Sequence, residues 1–141
     1  MDVALISKKS PVKSRPLSPH LGIYRLPLTA VLSISHRITG ALLVAVLIAI
    51  AALLWMATSG SDLFLSLRTF LDTRLGMLTL WASVYALFFH FCHGLRHLIW
   101  DFGHGFERRR QNLFNVLEIL GSFLLTALTY AGTALITRGS T

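Results

Sequence analysis

Phe89-His90-Phe91-Cys92-His93-Gly94-Leu95-Arg96-His97-Leu98-Ile99-Trp100 sets three histidines and an arginine inside a strongly apolar run. A charged side chain at the centre of a bilayer costs roughly 2.5 kcal/mol or more, so such groups mark function by default. A second inclusion, Ser33-Ile34-Ser35-His36-Arg37, interrupts another apolar run. Around them the chain reads as a membrane protein. Of 141 residues, 54% are hydrophobic and 13% charged, where a soluble domain carries about 25% charged residues. The mean hydropathy is +0.65.

Three apolar segments emerge, at residues 28–57, 75–100 and 113–136. Each meets the roughly 20-residue length needed to cross a bilayer, and lipid forces each to be helical because it cannot satisfy loose backbone groups. Ser59-Gly60-Ser61-Asp62 ends the first span and Asp101-Phe102-Gly103-His104-Gly105 the second. The expected fold is an all-α membrane protein with three transmembrane helices. Residues 1–27 form an arm and residues 28–141 the anchor domain.

Charge gives the orientation. Lys8, Lys9, Lys13, Arg15 and Arg25 precede the first span, and Arg108, Arg109 and Arg110 separate the second from the third. The first loop holds only Arg68 and Arg74, against Asp62 and Asp72. The positive-inside rule therefore places the N-terminus in the cytoplasm and the C-terminus outside. The arm, broken by Pro11, Pro16 and Pro19, with Pro27 at its end, lacks the apolar core of a secretory signal. The net charge of +7 flanks apolar runs instead of forming one soluble face, which argues against nucleic acid as a partner. A single cysteine, Cys92, excludes an intrachain disulfide, a thiolate-held iron–sulfur cluster and a Cys-x-x-Cys-His haem attachment.

On a helical wheel, Gly94, His97 and Asp101 fall within about 40° of His90, and Ser83 and Ala86 share the stripe. Small residues one and two turns from a histidine leave a flat groove beside the imidazole, as a porphyrin ligated through that histidine requires. Two other readings stand beside this one. Gly, Ala and Ser also line ordinary helix contacts, where a histidine only hydrogen-bonds a neighbour. His93 and His97 have i, i+4 spacing for zinc, but no carboxylate sits in a zinc-motif position.

In the first span Ser33, Arg37 and Gly40 share a stripe, with His36 beside it. A hydroxyl and a guanidinium one turn apart can address a carbonyl oxygen of a small ligand. The guanidinium also suits carboxylates such as haem propionates. The competing reading is a basic anchor snorkelling to the headgroups, yet Arg37 lies roughly 13 Å into the span. His90 lies roughly 16 Å from the cytoplasmic end of its span and Ser33 roughly 8 Å from that of its own. A haem at mid-membrane and a polar-headed lipid-soluble ligand near the cytoplasmic face would fit these depths.

The two inclusions carry a resemblance. Arg15-Pro16-Leu17-Ser18-Pro19-His20-Leu21-Gly22-Ile23-Tyr24, followed by Ser33-Ile34-Ser35-His36-Arg37-Ile38-Thr39-Gly40, resembles the signature of the cytochrome b membrane-anchor subunits of succinate dehydrogenase, complex II. His90-x-x-x-Gly94-Leu95-Arg96-His97-Leu98-x-x-Asp101 resembles the second signature, and the three-span layout covers essentially the whole chain. The resemblance implies that His90 ligates the iron of haem b, with the other axial histidine supplied by a second membrane-anchor subunit in a larger helical bundle. It implies that Ser33 and Arg37 bind ubiquinone, and that His36, with His97, lies near the haem propionates. His93 stands where the family often has an apolar residue.

The implied function is anchoring. A flavoprotein subunit oxidises succinate, an iron–sulfur subunit carries the electrons to the membrane, and ubiquinone is reduced at a site the anchor helps build. The chain itself has no flavin motif, cluster ligands or dicarboxylate pocket, so it is one part of an enzyme. The implied location is the bacterial inner membrane. The alternatives are a histidine-bearing metal transporter or proton channel, which needs ligands spread along a pore, and the anchor of a fumarate reductase. Against the first, the third span offers only Glu118, near its cytoplasmic end. Arg37 and Arg96 are expected to lack enough counter-charges within the three helices, so the isolated chain should not assemble stably.

Overall fold

The computed structural model describes residues 25–60 and 62–139. The arm up to Tyr24, including the Arg15–Tyr24 motif, lies outside the described residues. Four helices follow in order: α1 (Leu28–Thr58), α2 (Asp62–Leu71), α3 (Arg74–Asp101) and α4 (Arg108–Gly139). No strand occurs among the described residues. Helices α1, α3 and α4 hold 31, 28 and 32 residues and are long and apolar enough to cross a membrane.

Local signals explain the boundaries. Pro27 precedes α1 in an extended conformation, since a proline has no N–H to lose at a helix start. The Thr73 side chain caps α3 by accepting from the Gly76 amide at 3.1 Å. Gly103 and Gly105, at φ 78° and 88°, take the left-handed conformations that reverse the chain into α4. A Cβ on Gly105 would also meet the Phe114 ring at 2.6 Å.

The structure adds to two expectations. The helix that contains residues 113–136 begins at Arg108, so Arg108–Arg110 form its first turn. A helix needs no apolar residues in a turn that projects beyond lipid, and Glu107 pairs with Arg110 there at 3.4 Å. The first loop is not a plain loop, because α2 fills it. Its half-buried positions Phe64, Leu67 and Leu71 recur at i, i+3 and i+7, giving one apolar stripe that packs against the spans.

Helix α3 runs antiparallel to both α1 and α4, which therefore run parallel to each other. Thr29 at the start of α1 meets Asn115 near the start of α4, and His36 lies against the last turns of α3. At the other end Trp81 of α3 meets Tyr130 of α4 edge to face. The apolar core is small: among the described residues only Leu32, Ala86 and Phe89 are buried hydrophobics. The buried polar set is His93, Arg96, Asn115, Glu118 and Ser122. Lipid is as apolar as leucine, so close packing and interhelical hydrogen bonds hold such a bundle instead of the hydrophobic effect.

Candidate functional site

The α3 inclusion divides by face. His93 and Arg96 point into the bundle, with relative exposures of 0% and 3%. His90 is half-buried, and Gly94 and His97 are exposed. At about 100° per residue, His93 lies about 60° and Arg96 about 120° round the helix from His90, while Gly94 and His97 stay within about 40° of it, so the stretch presents two adjoining polar stripes.

On the inner face, His93 Nδ1 donates to Glu118 Oε1 at 2.6 Å. Arg96 Nη1 donates to Glu118 Oε2 at 2.9 Å and to Asn115 Oδ1 at 2.6 Å. Asn115 Nδ2 donates to Thr29 Oγ1 at 3.1 Å, which carries the network to α1. The Arg96 guanidinium also lies 4.6 Å over the Trp100 ring. The expectation that Arg96 lacks an internal counter-charge is therefore wrong. Glu118 lies one helix away and only 1% of its side chain is exposed. The signal was present in the sequence as Asn115, Glu118 and Ser122, polar residues at helical spacing in an apolar run.

On the other face, the His90 ring stacks on His36 with centroids 3.9 Å apart. His90 Nδ1 lies 3.2 Å from the His36 carbonyl oxygen. A carbonyl only accepts, so Nδ1 carries the proton and the Nε2 lone pair is left available. Thr39 Oγ1 donates to the same carbonyl and lies 3.4 Å from His90 Nδ1. Glycines make room on both helices. A Cβ on Gly40 would stand 2.9 Å from His90 Cε1, and one on Gly94 would meet nothing within 4 Å. Farther along, a groove of about 540 Å³ opens between α1 and α3, lined by Ala45, Ala49, Ala82, Ser83 and Ala86 among others. Ser83 and Ala86 are the small residues placed beside His90 by the helical wheel.

His36 joins the two faces, since it stacks on His93 as well, at 4.3 Å. The Nε2 atoms of His36 and His93 are buried without a hydrogen-bond partner among the described residues. Such orphaned groups need a polar occupant. The ligand atoms of His36, His93 and His97 lie within 4.8 Å of one another, so α1 supplies a third imidazole to the zinc spacing of α3. The His36 and His93 rings are only 23° from parallel. Their in-plane lone pairs therefore run side by side instead of converging on one ion, and tetrahedral zinc is poorly served.

Ser33 is half-buried and Arg37 exposed, and neither bonds to another described side chain. The structure thus gathers His36, His90, His93 and His97, and it leaves Ser33 and Arg37 on the adjoining flank of α1. Among the described residues the buried polar side chains cluster toward the end of the bundle where α1 and α4 begin.

Residues 11–129 match the family model described as the succinate dehydrogenase/fumarate reductase transmembrane subunit. Similar curated proteins include the succinate dehydrogenase cytochrome b556 subunit of Paracoccus denitrificans, 41% identical over 116 residues that cover 82% of this chain and 89% of the relative. That of Rickettsia felis is 36% identical over 126 residues, 88% of this chain and 97% of the relative. The cytochrome b560 subunit of Reclinomonas americana is 38% identical over 122 residues, 83% and 85% of the two chains.

Proposed function

The chain belongs to the succinate dehydrogenase/fumarate reductase transmembrane subunit family, as a cytochrome b membrane anchor of an oxidoreductase complex, and on that premise we propose that it holds haem b through His90 and forms part of a ubiquinone-reducing site with Ser33 and Arg37. The observation that carries the reading is the 3.2 Å contact between His90 Nδ1 and the His36 carbonyl oxygen. The His90 Nδ1 proton is directed to that carbonyl, which frees Nε2 on a face where Gly94 leaves open space. The orphaned Nε2 of His36 suits a carboxylate-bearing group, as a propionate is. His97 and Arg37, exposed near this face, complete the propionate environment.

Haem b supplies one-electron transfer within the membrane when bound. His90 would supply one histidine to the haem and a second anchor subunit would supply the other, so that the two chains would hold one haem between them. The exposed leucines and aromatics of α1 and α3, such as Leu47 at 66% and Phe91 at 55%, suit contact with that subunit and with lipid. Electrons arrive from succinate by way of the flavoprotein and iron–sulfur subunits. This chain contributes no catalysis at succinate.

The Ser33 hydroxyl donates to a quinone carbonyl. The Arg37 guanidinium stabilises the negative charge that develops as the ring is reduced. Ser33 stands five residues inside α1, roughly 8 Å from its N-terminal end. That shallow depth matches electrons delivered from the cytoplasm, with the arm of residues 1–27 on that side and the protein spanning the bacterial inner membrane.

The test is a set of reduced-minus-oxidised spectra on membranes carrying His90→Ala, His93→Ala or His97→Ala. Only His90→Ala should abolish the low-spin b-type spectrum. Loss with His93→Ala and retention with His90→Ala would move the ligand to the inner face. Fumarate reduction as the main direction in purified complex would favour the fumarate reductase anchor.

A further inference from the structure

The inner-face network has no part in the reading above, yet it touches it. Glu118 accepts from His93. His93 stacks on His36, and His36 stacks on His90 while its carbonyl holds the His90 proton. A buried carboxylate on α4 is thus joined through two imidazoles to the histidine placed at the iron. We propose that Glu118 is a positioning residue for that histidine. Through His93 it fixes the His36–His90 stack, and its negative charge lowers the reduction potential of the haem. The proposal rests on the haem reading above.

Three observations support it. First, Glu118 is committed to two donors, with Oε1 taken by His93 and Oε2 by Arg96, so it is held on both sides. A carboxylate that pinned only the guanidinium would not need His93. Second, the Nδ1–H···Oε1 bond selects the His93 tautomer, just as the His36 carbonyl selects that of His90. Both rings therefore hold fixed orientations before any cofactor arrives, and preorganised groups keep their geometry. Third, the site is dry, since His93 and Glu118 are 0% and 3% exposed, and charges act over longer range where water is excluded.

The sign follows from charge. Ferric haem carries one more positive charge than ferrous haem. A buried carboxylate favours the ferric form, and removing its charge also leaves the Arg96 guanidinium uncompensated, so both changes should raise the potential.

The experiment is a redox titration of the haem in the purified four-subunit complex. Glu118→Gln keeps the shape and removes the charge, and an upward shift in midpoint potential is expected. Glu118→Asp keeps the charge and should restore the potential toward that of the unsubstituted complex. Glu107→Gln, an exposed carboxylate at 74%, should leave it unmoved. If Glu118→Gln does not assemble, His93→Phe is measured instead. It keeps a flat ring against His36 and cuts the link, so a shifted potential or a broadened low-spin band is expected.

An unchanged potential and band in whichever of these variants assembles overturns the proposal and leaves the haem reading standing. A complex with no b-type spectrum before substitution overturns both.

Discussion

The two faces of α3 use the same residue type to opposite ends. His93, on the inner face, has its Nδ1 bound by a carboxylate and lies fully buried against α4. His90, three residues earlier, gives its Nδ1 proton to a backbone carbonyl of α1 and sits on a half-open face beside two glycines. Both partners fix the tautomer and leave Nε2 without a proton. What differs is access: His93 Nε2 is buried, while His90 is only half-buried. Position relative to neighbouring helices, and not residue identity, separates the histidine proposed to hold the cofactor from the one bound into the network.

The largest expected effect tests that separation directly. His90→Ala should remove the low-spin haem spectrum entirely, while His93→Ala retains it at reduced yield. Difference spectra normalised to flavin content measure both. Equal losses would erase the distinction between the faces.

The inner face should break next. Glu118→Leu leaves Arg96 buried without a counter-charge, and removing one partner of a buried pair costs about 3–5 kcal/mol. The thermal-inactivation temperature of the detergent-solubilised complex should fall sharply. Combining it with Arg96→Leu should recover part of the loss. A double variant as unstable as the sum of its parts would show that the two groups do not act as a pair.

The open face is tested by volume. Gly94→Leu should displace haem, because the added side chain fills space that is empty beside His90, and Gly94→Ala should be tolerated. Gly40→Ala should perturb the haem band without abolishing it, since its Cβ would press on His90 Cε1 at 2.9 Å. A normal band in Gly94→Leu would place the cofactor elsewhere.

A smaller effect falls on quinone chemistry. Ser33→Ala and Arg37→Leu should each lower quinone-linked activity roughly tenfold, the scale of one hydrogen bond, while sparing succinate oxidation with an artificial acceptor. Arg37→Lys should recover only part, because a point charge lacks the guanidinium fork. Parallel loss of both activities would indicate failed assembly instead. The smallest effect is expected from Thr29→Val, which removes one acceptor from Asn115 and should cost about 1 kcal/mol of complex stability.

Sequence by itself determined the spans and the two inclusions. Lipid demands long apolar helices, and α1, α3 and α4 are each long and apolar enough to cross a membrane. The same constraint made the histidines and arginines conspicuous, and the helical wheel placed His90 with Gly94 because helix geometry is local. What sequence could not settle was which charges meet. Glu118 and Arg96 are 22 residues apart in the chain and 2.9 Å apart in space, a distance set by how α4 rotates against α3. No local periodicity records that rotation. Helix α2 escaped for a related reason: its ten residues carry an apolar stripe too short to span, and it becomes a helix where Phe64, Leu67 and Leu71 find the ends of α1 and α3 to pack against. Tertiary structure likewise gave His36 its central place, since only the packing of α1 on α3 brings one imidazole against both His90 and His93.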